Sequence, residues 1–412
     1  METSASILHA KELLFLLGVI LATGTLAGFV ARAIKVPDVV LFLLAGIALG
    51  RAGFQVVDVK VDSTLNQLLL IFGSCYILFD GGASVRLTVL KKVWPTLLTI
   101  STVGVLISAF ITAYTAQYLL GLPFIFALLL GAVIASTDPA TLVPIFKQVK
   151  IRAKVAQTVM SESAFNDAMG AILTFTVLGI AINAEGTYSI GASLIDLLKQ
   201  ASLGLIGGAI LGYLAAMLIA HDKYSFLAEY APLVTIMSVA AAYLSMDNLH
   251  ASGFMAVFAF GLVLGNKDLF SFKMSKNEEL KLEDFILTTA LIMRIFIFVL
   301  LGSQVNFALL QQYFLPAFGV VMVFMFIGRP LTVFACALPD RRAQWTFKEL
   351  LFMCWTRETG VIPGALAGML IGLKVPHANV IAAVTFLAIL ITIIVQATTT
   401  RWLANKLGLL EH

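Results

Sequence analysis

Apolar stretches of about 20 residues, each able to cross the roughly 30 Å hydrocarbon core of a bilayer as one helix, recur almost from end to end of this chain. Lipid offers the backbone no hydrogen-bond partners, so only helices and closed barrels span it, and these stretches are far longer than a barrel strand. The chain is therefore an all-α polytopic membrane protein. About thirteen such stretches can be read, at 12–33, 36–50, 65–79, 93–120, 123–146, 155–182, 194–220, 231–244, 252–264, 285–305, 313–338, 347–373 and 380–403. Composition agrees: 12% of residues are charged and 60% hydrophobic, against roughly 25% charged in soluble domains. The first stretch has no basic region before it and is too long for a signal-peptide core, so it reads as a retained helix.

Basic residues fall on alternate sides. Counting loops from the N-terminus, one side collects Arg32, Lys35, Arg86, Lys91, Lys92, Lys147, Lys150, Arg152, Lys154 and most later Lys and Arg, while the other has Lys11, Arg51, Lys60, Lys199 and Lys374. The positive-inside rule then puts the N-terminus outside and the C-terminus in the cytoplasm, which needs an odd number of spans. These charges read as topology determinants, with no nucleic-acid partner implied. The longest polar segment, 266–284, reads as a loop. Cys75, Cys336 and Cys354 lie inside apolar stretches and read as free thiols that pack as small hydrophobes.

One pattern occurs twice. Thr137-Asp138-Pro139-Ala140-Thr141-Leu142-Val143-Pro144 in the fifth stretch is similar to Thr356-Arg357-Glu358-Thr359-Gly360-Val361-Ile362-Pro363 in the twelfth. Seven stretches apart, the two enter the membrane from opposite sides, as expected of two inverted repeats of six helices whose broken helices cross at a substrate site. Pro139, Pro144 and Pro363 remove backbone donors and Gly360 tolerates unusual torsions, so each helix should break there. Asp138 would then face positive half-helix N-termini, and Arg357 the negative C-termini.

The sixth stretch carries Ser161-Glu162-Ser163-Ala164-Phe165-Asn166-Asp167. A carboxylate at the centre of a membrane helix costs roughly 2.5–3.5 kcal/mol, so such groups normally serve an ion or proton pathway. Ser163 and Asp167 share one helix face, and Glu162 and Asn166 form a second pair about 100° round. Arg357 is the candidate partner for Glu162, because a buried carboxylate needs a cation that stays protonated. Asp138 and Asp167 are then free to titrate, and with the Ser163 hydroxyl and the Thr137 carbonyl they make an oxygen site for a small hard cation. Proton and cation compete there, which is sufficient for coupled exchange. No Gly-x-Gly-Asp, Gly-x-Ser-x-Gly or His-Glu-x-x-His pattern occurs, so an intramembrane enzyme is not expected.

Ser-Thr-Asp-Pro at 136–139, Glu-Ser-Ala-Phe-Asn-Asp at 162–167 and Phe-Asp-Gly-Gly at 79–82 resemble the monovalent cation:proton antiporter family 1, the NhaP-like Na+/H+ antiporters related to eukaryotic sodium/hydrogen exchangers. The resemblance implies the NhaA/NhaP-like antiporter fold and a homodimer in the cell (inner) membrane of a prokaryote. It implies a core domain at about 93–182 and 313–405 that moves like an elevator, and a dimerisation domain at about 11–80 and 194–305. By resemblance Asp167 is the main ion- and proton-carrying carboxylate, completed by Asp138, Ser163 and Thr137, and Glu162 with Arg357 is the structural ion pair beside Asn166. Asn166 stands where electrogenic relatives carry an aspartate, which implies electroneutral one-for-one exchange. Asp80 matches an acidic position near the cytoplasmic funnel, either an access or pH-response group or a solvated helix cap. The partners implied are a monovalent cation, the proton and lipid, with no cofactor. The alternatives within transport are a K+/H+ antiporter of the same fold and a cation-coupled symporter.

The twelfth stretch departs from the commoner family pattern by carrying Glu358 after the arginine. Glu358 either competes with Glu162 for Arg357 or adds a proton site. Arg294 reads as structural, held by a carboxylate or by carbonyls, and Arg329 before Pro330 as an interfacial anchor. The stripes Gly204/Gly208/Gly212 and Gly364/Gly368/Gly372 read as close helix contacts.

Overall fold

A computed structural model describes residues 5–34, 36–137, 146, 151–182, 190–221 and 224–410. Among them the chain is helical, with one isolated antiparallel bridge between Ile151 and Leu410. The helices are α1 (Ala5–Ile34), α2 (Asp38–Leu49), α3 (Thr64–Ser84), α4 (Trp94–Leu120), α5 (Phe124–Ile134), α6 (Ala153–Ile182) and α7 (Ile190–Ala220). There follow α8 (Ala231–Asn248), α9 (Gly253–Gly265), α10 (Lys276–Ser303), α11 (Phe307–Ala337), α12 (Phe347–Trp355), α13 (Val361–Gly372) and α14 (Ala378–Leu407).

Eight of these, α1, α3, α4, α6, α7, α10, α11 and α14, are long and apolar enough to cross a membrane, and α2, α5, α9 and α13 are shorter apolar helices. The short ones arise where the sequence interrupts the helix rather than where hydrophobicity fails. The fifth stretch, expected to run to residue 146, leaves the helix after Ile134, and residues 135–137 are non-helical. The twelfth divides into α12 and α13 around the non-helical residues 356–360. The segment 266–284 is not a loop: a turn at Lys267–Phe270 leads to Ser275, whose capping box with Glu278 starts α10 at Lys276.

A π-turn at Phe324–Gly328 lies inside α11 just before Arg329-Pro330. Proline at 330 can neither donate to nor fit beneath the carbonyl four residues earlier, and one wide turn absorbs the mismatch. A second π-turn, Ile393–Ala397, interrupts α14 with no proline near it. Glycines set the closest contacts. Any Cβ on Gly208 of α7 would overlap the Ala256 carbonyl of α9, and on the other face of α9 a Cβ on Gly265 would overlap the Ala83 carbonyl of α3. The first glycine stripe is thus a helix-contact stripe, as expected. The second one, Gly364/Gly368/Gly372, lies against the side chains of Leu301, Leu70 and Gln67.

Helices α4, α5 and α6 pack on one another, and α4 also meets both parts of α11. Helix α3 touches α9, α10, α6 and α13. The site is therefore walled by α6, the two interrupted helices, α11 and α3. All three cysteines are free and buried, as read from the sequence.

Candidate ion-binding site

Helix α6 brings its polar run into the interior at mid-length. Glu162, Ser163, Asn166 and Asp167 are all buried, Asp167 at 4% exposure, although none has an apolar reason to be there. The end of α5 meets them. The Thr137 N–H donates to Asn166 Oδ1 at 3.1 Å, Asn166 Nδ2 donates to Thr137 Oγ1 at 2.9 Å, and the Thr137 and Ser163 hydroxyls lie 2.8 Å apart. Asn166 thus replaces the helical hydrogen bonds that the backbone gives up where α5 ends, which is what an interrupted helix needs in a low-dielectric interior. Both polar faces of α6 converge on Thr137, so the split of Ser163 from Asn166 read from helical spacing is not kept: Thr137 touches both. Asp167 lies one turn beyond Ser163 on the same face of α6 and is buried with it. Asp138 and the Pro139–Pro144 segment lie outside the described residues.

The ion pair differs from expectation. Glu162 is joined to Arg329 of α11, not to Arg357, in a two-pronged contact: Arg329 Nη2 donates to Oε2 at 2.9 Å and Nη1 to Oε1. Arg329 also donates through Nε to the Met353 carbonyl at 2.9 Å, and is 1% exposed. It is a buried counter-ion rather than an interfacial anchor. A planar guanidinium gripping both carboxylate oxygens is the geometry that makes such a pair tolerable out of water. The signal available in sequence was Arg329 itself, an arginine between Gly328 and Pro330; the π-turn beside it sets which way that arginine faces.

Arg357 serves a different end. Nη2 donates to the Ala135 carbonyl, Nη1 to Ser108 Oγ at 3.3 Å, and the guanidinium carbon stands 4.3 Å over the Phe324 ring. No carboxylate of the described residues is within ion-pair distance of it. Its positive charge meets the carbonyl end of α5, where the aligned peptide dipoles leave partial negative charge. The second interruption thus reaches across to the first, as the sequence expectation for Arg357 and negative half-helix ends required. Ser108 is held in turn by Thr332 Oγ1 at 3.0 Å.

Glu358, fully buried, follows Arg357 in the non-helical stretch and is near enough to Arg329 to interact with it electrostatically, while the two-pronged contact of that arginine goes to Glu162. Asp80 is half-buried one turn before the end of α3, inside the helix rather than capping it; a Cβ on the next residue, Gly81, would lie 3.4 Å from Ala164 of α6. Arg294 donates to the Ala290 carbonyl of its own helix at 3.4 Å, a carbonyl partner of the kind expected. Among the described residues no group of three or more His, Cys, Asp or Glu is arranged to hold a resident metal.

Comparison with known proteins accords with this geometry. Residues 18–406 match the family model described as sodium/hydrogen exchanger, transmembrane. The Na(+)/H(+) antiporter 1 of Methanocaldococcus jannaschii is 31% identical over 95% of both chains. The K(+)/H(+) antiporter NhaP of Alkalimonas amylolytica is 30% identical over 95% of this chain and 66% of its own. The solved structure of the sodium proton antiporter MjNhaP1 from M. jannaschii at pH 8 superposes with a TM-score of 0.84 at 30% identity, covering 96% of this chain and 99% of that one. Buried oxygens between interrupted helices thus belong to a transporter rather than an enzyme. The chain is a member of the sodium/hydrogen exchanger family, in the NhaP-like group of monovalent cation:proton antiporters.

Proposed function

We propose that this protein exchanges Na+, or Li+, for H+ across the membrane, one for one and without net charge movement. The observation that carries the reading is the buried cluster in which Thr137 is held by Asn166 and Ser163 with Asp167 one turn away, in a chain of this family. Asp167 carries the proton and binds the cation, Ser163 and the Thr137 carbonyl add neutral oxygens, and Asp138 supplies the second carboxylate. Two carboxylates in one cavity raise each other's proton affinity, so cation entry releases a proton and proton return releases the cation. Asn166 cannot ionise. It fixes Thr137 without adding a further ionisable group to the two carboxylates, and this supports electroneutral exchange.

The rest of the reading follows the family architecture. About thirteen spans, counting α12 and α13 as one interrupted helix, form two inverted repeats, with the N-terminus outside and the C-terminus in the cytoplasm of a prokaryotic cell membrane. The core domain, about residues 93–182 and 313–405, carries the site past a dimerisation domain at about 11–80 and 194–305 in a homodimer. Asp80, on α3 beside α6, lines the access route. The Arg357 contact with Ala135 supports a core that moves in one piece, since it ties the two interruptions together.

The test is exchange in proteoliposomes with an imposed pH gradient. Adding Na+ should dissipate the gradient, and Asp167→Asn should abolish the response; exchange retained in that variant removes Asp167 from the mechanism. Relatives named as K+/H+ antiporters give a second reading, in which K+ replaces Na+ at the same oxygens. A response to K+ and none to Na+ or Li+ would select it.

A further inference from the structure

Gln67, in the first turn of α3, joins the proposed dimerisation domain to the proposed core. Its Nε2 donates to the Val61 carbonyl just before α3 at 2.8 Å and to the Gly368 carbonyl of α13 at 3.4 Å. The same amide fills the place where a Cβ on Gly372 would stand, while Leu70 of α3 fills that of Gly368 and Leu301 of α10 that of Gly364. Three side chains from one domain are thus seated on positions one turn apart in the other. Their base is braced: Asn66, fully buried beside Gln67, donates to the Val61 carbonyl at 2.7 Å and accepts from Gln304 Nε2, past the end of α10, at 2.9 Å. Within each domain, by contrast, Gly46 of α2 lies on the Val299 carbonyl of α10, and Gly131 of α5 on the Ala109 carbonyl of α4, backbone against backbone.

A contact of this kind can part without stranding a donor. When the Gly368 carbonyl withdraws, Gln67 Nε2 keeps its shorter bond to Val61, and an unmatched buried polar group is avoided. The places it can re-form are set by spacing. Gln67 needs an empty position on α13 and a carbonyl four residues before it, now 372 and 368. If α13 moves by one turn toward its C-terminal end, about 6 Å at 1.5 Å per residue, Gln67 meets position 368 and the carbonyl of 364. Leu70 then meets Gly364, and Leu301 meets Gly360, which directly precedes α13. Movement in the other sense brings Gln67 to Pro376, beyond the end of α13 at Gly372. A second register therefore exists in one direction and not in the other. There is also room beside the contact, where interiors are normally close-packed: a cavity of about 60 Å3 is lined by Gln304, Val305, Gly368, Ile371, Ala382 and Phe386.

We propose that Gln67 is a latch between two registers of α13 on α3 and α10, one helical turn apart, and that the step between them carries the core past the dimerisation domain. This rests on the reading of the chain as a transporter with a moving core. Packed elements switch between discrete arrangements rather than deforming continuously, and a one-turn ratchet of one element past another is such a switch. Leucine against glycine supplies shape without direction. The amide supplies the position, because it must find an empty seat and a carbonyl together. Whether Na+ or K+ is transported does not enter the argument.

The experiment is oxidative cross-linking of cysteine pairs in the full chain in proteoliposomes, with the buried native cysteines left in place and linked peptides identified by mass spectrometry. Leu70→Cys/Gly368→Cys reports the register described above, and Leu70→Cys/Gly364→Cys the shifted one. Both pairs should link, and each link should stop cation-driven proton movement until a reductant is added. Gly372→Ala takes the seat of the Gln67 amide in the first register and leaves the second open. It should raise the link at 364 relative to that at 368 at least threefold, and adding Gln67→Ala should restore the original ratio. No link at 364 where the one at 368 forms, or a ratio that Gly372→Ala does not move, would overturn the proposal. Should these pairs fail to fold, spin labels on cysteines at the exposed positions Leu244 of α8 and Leu373 after α13 should show two distance populations, and a single one overturns it. Wild-type exchange with no link at 364 sinks the register shift and leaves the antiport reading standing. Both links in a chain that exchanges no cation sink the antiport reading and leave the two registers.

Discussion

Glu162 and Arg329 make the division of labour among the buried charges concrete. Removing one member of a buried pair strands the other, at a cost of about 3–5 kcal/mol, whereas replacing both with neutral side chains is often tolerated. Glu162→Gln and Arg329→Met should therefore each lower folded yield and the melting temperature, and Glu162→Gln/Arg329→Met should recover most of the loss. Glu162→Gln/Arg357→Met should recover none, because Arg357 answers to the end of α5 and not to Glu162. Thermal unfolding of the purified variants in detergent measures this, and rescue by the Arg357 combination instead would reverse the assignment of partners. At this scale the sequence was informative about types and poor about pairs. The buried polar run of α6, its Asn166 and its need for an arginine were legible, since each follows from what lipid will not solvate. Which of two arginines answers depends on the rotation of α11, set by a π-turn that hydropathy does not report.

Among the elements, the interruption of the twelfth stretch was readable because Gly360 and Pro363 forbid a regular helix through it. Helix ends at lipid depth were less so. The second stretch reads as 36–50 but folds as the 12 residues of α2, about 18 Å long at 1.5 Å per residue, because Pro37 starts it and the chain turns at Gly50. Helix α10 begins well before its apolar part because a capping box at Ser275, and not hydrophobicity, starts it. The glycine contacts give a test at this scale. Gly208→Ala should lower the thermal stability of the protein by about 1–3 kcal/mol, since the added methyl overlaps the Ala256 carbonyl, which cannot rotate away as a side chain would. Gly18→Ala in α1, where a Cβ meets nothing within 4 Å, should be neutral or stabilising. Equal melting temperatures for the two variants would remove the close approach of α7 and α9 from the account.

For the whole molecule the decisive measurement is electrical. If exchange is one for one, a valinomycin-clamped membrane potential should leave the rate of Na+-driven proton movement unchanged, and a potential alone should build no pH gradient. A voltage-dependent rate would mean that a second charge crosses with the proton. Family membership and the helical membrane architecture were legible from short motifs and apolar length, because bilayer thickness and the cost of buried charge leave few solutions. The neighbours of each helix were not legible, since lipid-facing and protein-facing sides are equally apolar.

The glycines on both faces of α9 have a mechanical meaning. Where backbone lies directly on backbone, no side chain is available to repack, so the contact has one register and no neighbouring one of similar energy. Helix α9 is clamped in this way to α7 through Gly208 and to α3 through Gly265. These three helices form a beam that can tilt or translate only as a unit, and their amides should be among the last in the molecule to exchange with deuterium.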